Sequence, residues 1–174
     1  FYKITNKYSL LECYENKIYQ EWEELSNGQT SSLISSINQI DINELKSYTD
    51  DLDKIKIFLK LFCIVGIVEK FDESLHIFKT RLNWKKHIYY HKVNVSTIKP
   101  DLNSNLIDLI LSNNRKDYEI YKYALCQFDE CIEDMGNNFK KEVISFKIIN
   151  KYLMHLLTIK SQFKYYIKKI YNNN

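Results

Sequence analysis

Apolar residues in this 174-residue chain recur mainly at intervals of three and four, the helical period, and in one place they run together. Over residues 8–25, Leu11, Tyr14, Ile18, Trp22 and Leu25 form one stripe with polar and acidic residues opposite. This predicts a helix, ended by Asn27-Gly28. Residues 37–49 are polar and weakly patterned and read as a loop or insertion. A second helix begins at Asp50. Asp50, Asp51 and Asp53 load its first turn, and Leu52, Ile55, Leu59 and Phe62 share a side. The acidic triplet lacks the spacing, glycine and closing glutamate of an EF-hand loop, so dipole complementation is the better account.

That stripe runs into the continuous apolar stretch 61–68, broken by Gly66. Its length and its β-branched Ile64, Val65, Ile67 and Val68 predict a strand buried on both faces, with Gly66 admitting another backbone or a ligand. After Glu69 the pattern switches back to helix: Phe71, Leu75, Phe78 and Leu82 align, with Asp72 and Glu73 at the start and Lys79 and Arg81 at the end. A helix that feeds a buried strand, followed at once by another helix, is the crossover pattern of a parallel α/β sheet.

A basic, aromatic loop spans 85–97. Beyond Pro100 and Asp101, Leu102, Leu106, Leu109 and Ile110 predict a short helix, closed by Asn113-Asn114. Tyr118, Tyr121, Leu125, Phe128 and Ile132 predict a strong one. A long amphipathic helix follows over 139–170, with Phe139, Val143, Phe146, Ile149, Leu153, Leu156 and Leu157 on one side. After Ile159 it turns basic and aromatic. Two readings fit this tail: contact with a membrane surface or nucleic acid, or a helix packed back on the domain with a solvated lysine face.

Composition narrows the class. Three Gly and one Pro favour a mostly helical chain, and 45% hydrophobic residues exclude a disordered tail. With 25 basic and 22 acidic residues the charge is too balanced to require a nucleic-acid partner, and none is expected. No apolar run approaches the roughly 20 residues of a membrane span, and no signal peptide is visible. The start at Phe1 is expected to reflect processing or a longer polypeptide. Cys13, Cys63, Cys126 and Cys131 form no C-x-x-C pair and have no histidine at zinc-finger spacing, and no metal site is expected. Cys63 reads as an apolar filler, and Cys126 and Cys131, on one helix, are awkwardly placed to bond each other.

Several segments carry a resemblance. Val65-Gly66-Ile67-Val68-Glu69, then Phe71-Asp72-Glu73-Ser74-Leu75 and Trp84, resemble the late strand-helix segment of Golgi carbohydrate sulfotransferases, in particular the uronyl and heparan sulfate 2-O-sulfotransferase group. Asn27-Gly28-Gln29-Thr30 with Leu33 is similar to that family's N-x-Q-T-x-x-L segment, with Ser31 where a basic residue often stands. Asp117-x-Glu119-Ile120-Tyr121-x-Tyr123-Ala124 with Phe128 is similar to its closing D-x-E-[LI]-Y-x-[YF]-A…F helix. The resemblance covers roughly 27–134.

It implies an α/β class. The chain would be the mostly helical downstream portion of a P-loop-like sulfotransferase domain with one recognisable buried parallel strand at 61–68. Residues 1–135 would be the C-terminal half of that domain; the long amphipathic basic helix and tail at 136–174 lie beyond the resemblance and are read from the pattern alone. It also implies the sulfate donor 3′-phosphoadenosine 5′-phosphosulfate, a carbohydrate acceptor, no metal and a Golgi-lumen location.

In the family, the loop after the tryptophan folds over donor and acceptor, so Lys92, Asn94, Ser96 and Thr97 are the implied cofactor- or acceptor-loop residues. A solvated surface loop with Tyr89 and Tyr90 packed beneath is the other reading of 85–97. Asn94-Val95-Ser96 is also an N-glycosylation sequon.

Sulfuryl transfer needs a backbone cradle and a lysine for the phosphosulfate, an Arg and Ser pair for the 3′-phosphate, and a base for the sugar hydroxyl. The family carries the first two in early segments that this sequence lacks. Its base also lies upstream, so His87 and His91 are not assigned that role and no catalytic residue is named. The missing upstream half, on the same or another chain, is therefore an expected partner. A non-enzymatic helical interaction module, with 61–68 as a buried helix turn, is the competing reading. Tyr121 and Tyr123 read as core packing rather than substrate stacking.

Overall fold

The computed structural model of the chain describes residues 10–16, 26–86, 88–90 and 103–172, and these are mostly helical. In order they form α1 (Leu10–Glu15), α2 (Gly28–Ile37), α3 (Asn43–Lys46), α4 (Asp51–Phe62), a 3₁₀ turn (Val68–Lys70), α5 (Phe71–Arg81), α6 (Ser104–Asn113), α7 (Arg115–Asp134) and α8 (Phe139–Asn172). The chain divides into two compact units, 1–65 with 98–127 and 66–97 with 128–174. The division expected at 135/136 falls inside the second unit. Of the helix expected over 8–25, Leu10–Glu15 is present, and Ile18, Trp22 and Leu25 lie outside the described residues.

In the first unit, α2, α3 and α4 pack around Ile37, Leu45, Ile55 and Ile120, with Leu33, Ile34, Ile42 and Leu52 against them. Ile37 and Leu45 come from the stretch read as a loop. Four residues of α3 are too few to show a period, so burial there is invisible to pattern analysis. Asp50 caps α4: its carboxylate accepts from Leu52 N at 2.9 Å and Asp53 N at 3.1 Å, which accounts for one member of the acidic triplet. Asn103 caps α6 in the same way through Leu106 N at 2.8 Å.

In the second unit α5 packs against α8. Its buried apolar residues are Ile67, Ile77, Phe128, Phe139, Val143 and Phe146. Gly136, at φ 81°, ends α7 in the left-handed conformation that glycine adopts without steric cost.

The apolar stretch 61–68 differs from the expected strand. Leu61 and Phe62 complete α4, and residues 63–67 lie outside any helix. Cys63 (φ −119°, ψ 147°) and Ile67 (φ −112°, ψ 127°) are extended, and Val68 enters the 3₁₀ turn. No strand ladder is present among the described residues. Ile67 is buried, whereas Leu61, Phe62, Ile64 and Val68 are exposed, Val68 by 82%. The β-branched run does favour extended backbone, but a strand also needs a neighbouring edge.

The partner of this segment is instead α5. Ser74 Oγ accepts from Ile67 N at 2.8 Å and lies 3.0 Å from Ile67 O and 2.9 Å from Lys70 O, so one hydroxyl holds the extended segment to the helix. Gly66 makes room for a side chain rather than for a second backbone or a ligand. A Cβ there would sit 2.6 Å from Phe78 Cζ and 3.2 Å from Ser74 Cβ.

Helix stripes rotate accordingly. On α5 the buried residues are Ser74 and Ile77, while Phe71 and Leu82 are exposed. On α7 they are Ile120 and Phe128, while Tyr118 and Tyr121 are exposed. Tyr121 is thus not core, and Tyr123 is half-buried.

Candidate functional site

The first polar grouping belongs to the first unit and joins the start of α2 to the start of α7. A helix leaves its first N–H groups without internal partners. Here each of the two helices is capped by the other. Asn27 adopts φ 52° and ψ 37°, a left-handed conformation that asparagine tolerates. Its Oδ1 accepts from Lys116 N at 2.9 Å and Asp117 N at 3.3 Å, the second and third residues of α7. Asp117 returns the arrangement. Its carboxylate accepts from Gln29 N at 3.1 Å, Thr30 N at 2.8 Å and Thr30 Oγ1 at 2.6 Å, covering the second and third residues of α2.

Asn113 and Asn114 complete the knot. Asn113 O accepts from Asn27 Nδ2 at 2.9 Å and Ser26 Oγ at 3.0 Å, and Asn114 Oδ1 accepts from Asn27 N at 2.9 Å. Asn114 Nδ2 also donates to the buried Tyr14 hydroxyl at 3.2 Å. Burial raises the pKa of Tyr14, and that hydrogen bond opposes the rise.

Beside this reciprocal cap lies a cleft of about 520 Å³ lined by Ser26, Thr30, Ser31, Ser35, Asp51 and Lys116. Hydroxyls, one carboxylate and one ammonium suit a polyhydroxylated or partly anionic ligand. The α2 N-terminus is a poor cradle for a phosphosulfate, because Asp117 already occupies the N–H groups that an anion would use.

The second grouping belongs to the second unit and anchors the start of the basic aromatic loop. The Tyr90 hydroxyl donates to Asp72 Oδ1 at 2.7 Å, and its ring meets Phe71 edge-on at 4.8 Å. The Tyr90 backbone exchanges hydrogen bonds with the Asn150 side chain, at 2.9 Å and 3.3 Å. Burial, then the hydrogen bond and charge of Asp72, push the Tyr90 hydroxyl up to about 12.

Lys147 bridges Glu73 at 3.0 Å and Asp72 at 3.7 Å. Its pKa is raised, first by the hydrogen bond to Glu73 and against the effect of burial. Burial raises the pKa of Glu73, but a backbone hydrogen bond and Lys147 outweigh it, so the net shift is downward. Tyr89 is exposed, so of the two loop tyrosines Tyr90 is the one that packs. Nearby on α5, His76 Nε2 lies 2.9 Å from Glu142 Oε2, while its buried Nδ1 has no hydrogen-bond partner among the described residues.

The implied loop residues Lys92, Asn94, Ser96 and Thr97 lie outside the described residues, as do His87 and His91. The mutual capping of Asn27 and Asp117 escaped sequence reasoning because the partners are 90 positions apart. The local signal, Asp in a helix's first turn, indicates a favourable dipole but no recipient.

All four cysteines are free, and burial raises the pKa of Cys63. Among the described residues no group of three or more His, Cys, Asp or Glu is placed to hold a metal ion, and no helix is long and apolar enough to cross a membrane. Comparison with protein-family models, curated proteins and solved structures gave no match.

Proposed function

We propose that the chain is the downstream part of a sulfotransferase domain that moves a sulfuryl group from 3′-phosphoadenosine 5′-phosphosulfate to a carbohydrate hydroxyl. The observation that carries this reading is the reciprocal cap. Asn27 and Thr30 from one resembling segment bond Asp117 from another. The residue types on which the resemblance rests are therefore those on which this fold depends. Gly66 and Ser74 in the third segment behave likewise, since Phe78 fills the space at Gly66 and Ser74 ties down residue 67.

In this reading 63–67 is the last strand of a parallel sheet whose other strands, with the donor cradle, belong to the upstream half of the domain. Ile64 and Val68, exposed here, are the side chains such neighbours would cover. In this reading Lys92, Asn94, Ser96 and Thr97 are the residues that serve the donor or the acceptor. The cleft at Ser31 takes its positive charge from Lys116, in place of the basic residue common at position 31. A base abstracts the sugar hydroxyl proton, the oxygen attacks sulfur, and the 3′,5′-bisphosphate nucleotide leaves with the electron pair of the broken S–O bond. The Golgi lumen is the compartment this reading assigns.

Calorimetric titration of the native polypeptide with 3′-phosphoadenosine 5′-phosphate tests it. Saturable one-to-one binding is expected, and absence of binding refutes the donor site. A second reading, a non-enzymatic helical interaction module, is favoured by the exposed Ile107 and Leu111 on α6.

A further inference from the structure

We propose that α8 lies along an anionic lipid surface, held by an apolar face directed away from the core of its unit. At about 100° per residue, the buried Phe139, Val143 and Phe146 define one side of the helix. Ile148, Tyr152, Leu156 and Ile159 fall within a sector roughly 80° wide on the opposite side. All four are exposed, Tyr152 by 68% and Leu156 by 59%. At about 1.5 Å per residue this strip is about 17 Å long, and the sequence repeats its period with Phe163, Tyr166 and Ile170.

Charge selects the occupant. The helix sequence holds eight lysines and one acidic residue, Glu142, which lies against His76. Between Val143 and Asn172 there is no carboxylate at all. A second copy would set one strongly positive helix against another. An acidic partner helix would find lysines but no carboxylates with which to fix its register. Nucleic acid would leave the aliphatic strip in water, and the helix has no arginine for phosphate forks or base stacking. An anionic bilayer satisfies both faces: apolar side chains enter the acyl boundary while lysine stems reach the headgroups. The helix lies on that surface rather than spanning it, since it is not apolar enough to cross.

The test is co-sedimentation of the full chain with vesicles of phosphatidylcholine alone or with one-third phosphatidylserine. Binding is expected to the charged vesicles, at least about tenfold stronger than to neutral ones and weakened by salt. Ile148→Glu and Leu156→Glu are each expected to lower it about tenfold, and Lys151→Gln and Lys160→Gln about fivefold each. Far-ultraviolet circular dichroism should be unchanged in all four variants, because these side chains are exposed. Equal binding to both vesicle types, or none, overturns the proposal. So does self-association without vesicles that Ile148→Glu abolishes, or tighter binding to RNA than to charged vesicles. These outcomes do not depend on nucleotide binding, so either proposal can fail alone.

Discussion

Replacing Ser74 with alanine removes a hydroxyl that serves the backbone of residue 67 in place of a neighbouring strand. Ile67 and Ser74 are each only 4% exposed, so water cannot take over the lost bond. An unsatisfied buried N–H costs about 1–3 kcal/mol. Alanine's better helix propensity returns about 0.5 kcal/mol. The expected loss is about 1.5 kcal/mol, a fall of about 3–6 °C in melting temperature for a chain of this size.

Thr80→Ala is the matched control on the same helix. The Thr80 hydroxyl bonds His76 O four residues back, at 3.0 Å, in an exposed position, and its removal is expected to cost no more than about 0.5 kcal/mol. Urea unfolding measures both variants, and amide hydrogen exchange reads the Ile67 N–H directly. If Ser74→Ala loses no more stability than Thr80→Ala, and Ile67 keeps its protection, the hydroxyl does not hold this segment.

Asp117→Ala strips the acceptor from Gln29 N, Thr30 N and Thr30 Oγ1, and is expected to cost about 2 kcal/mol in urea unfolding. Asp117→Asn keeps one acceptor oxygen and should lose roughly half as much. Gly66→Ala is expected to cost about 1 kcal/mol by forcing the Phe78 ring aside. In a double-mutant cycle, Phe78→Leu should relieve part of that cost, and strict additivity would refute the contact.

Stability should hold a plateau across neutral pH and fall on both sides. Tyr90, at about 12, and Lys147, also raised, both favour the protonated form when folded, so their contribution is full below about pH 10 and is lost above it. Glu73 is lowered, so its contribution is present above about pH 4 and is lost on acidification. Tyr90→Phe should flatten the alkaline decline in urea midpoint, and an unchanged slope would contradict the assignment.

Helix content was legible in the sequence because most of the stripes are long and the breakers few. Asp50, read with the acidic triplet for its charge, turns out to cap α4, and the cap of α6 is Asn103 rather than the expected entry at Pro100 and Asp101. Faces were less legible. On α5 the apolar stripe predicted the helix but not its buried residues, and on α7 it found Phe128 but not Ile120, because tyrosine and phenylalanine also sit well at half-exposed edges. Ser74 and Ile120 won burial through contacts that no periodicity records. The stretch 61–68 shows the same limit. Its composition favours an extended backbone at Cys63 and Ile67, but a ladder also needs a neighbouring edge, and none is present among the described residues. In the candidate site, the resembling motifs were visible one by one, but their bonding to one another requires the fold.

We propose that these segments are the scaffold of a sulfuryl-transfer domain. Incubating the native polypeptide with sulfur-labelled 3′-phosphoadenosine 5′-phosphosulfate and a desulfated glycosaminoglycan tests it most directly. Label is expected on the polysaccharide, with release of the bisphosphate nucleotide in equal amount. No transfer to any uronic-acid-containing acceptor, from a polypeptide that also fails to bind the nucleotide, would contradict it and favour the interaction module.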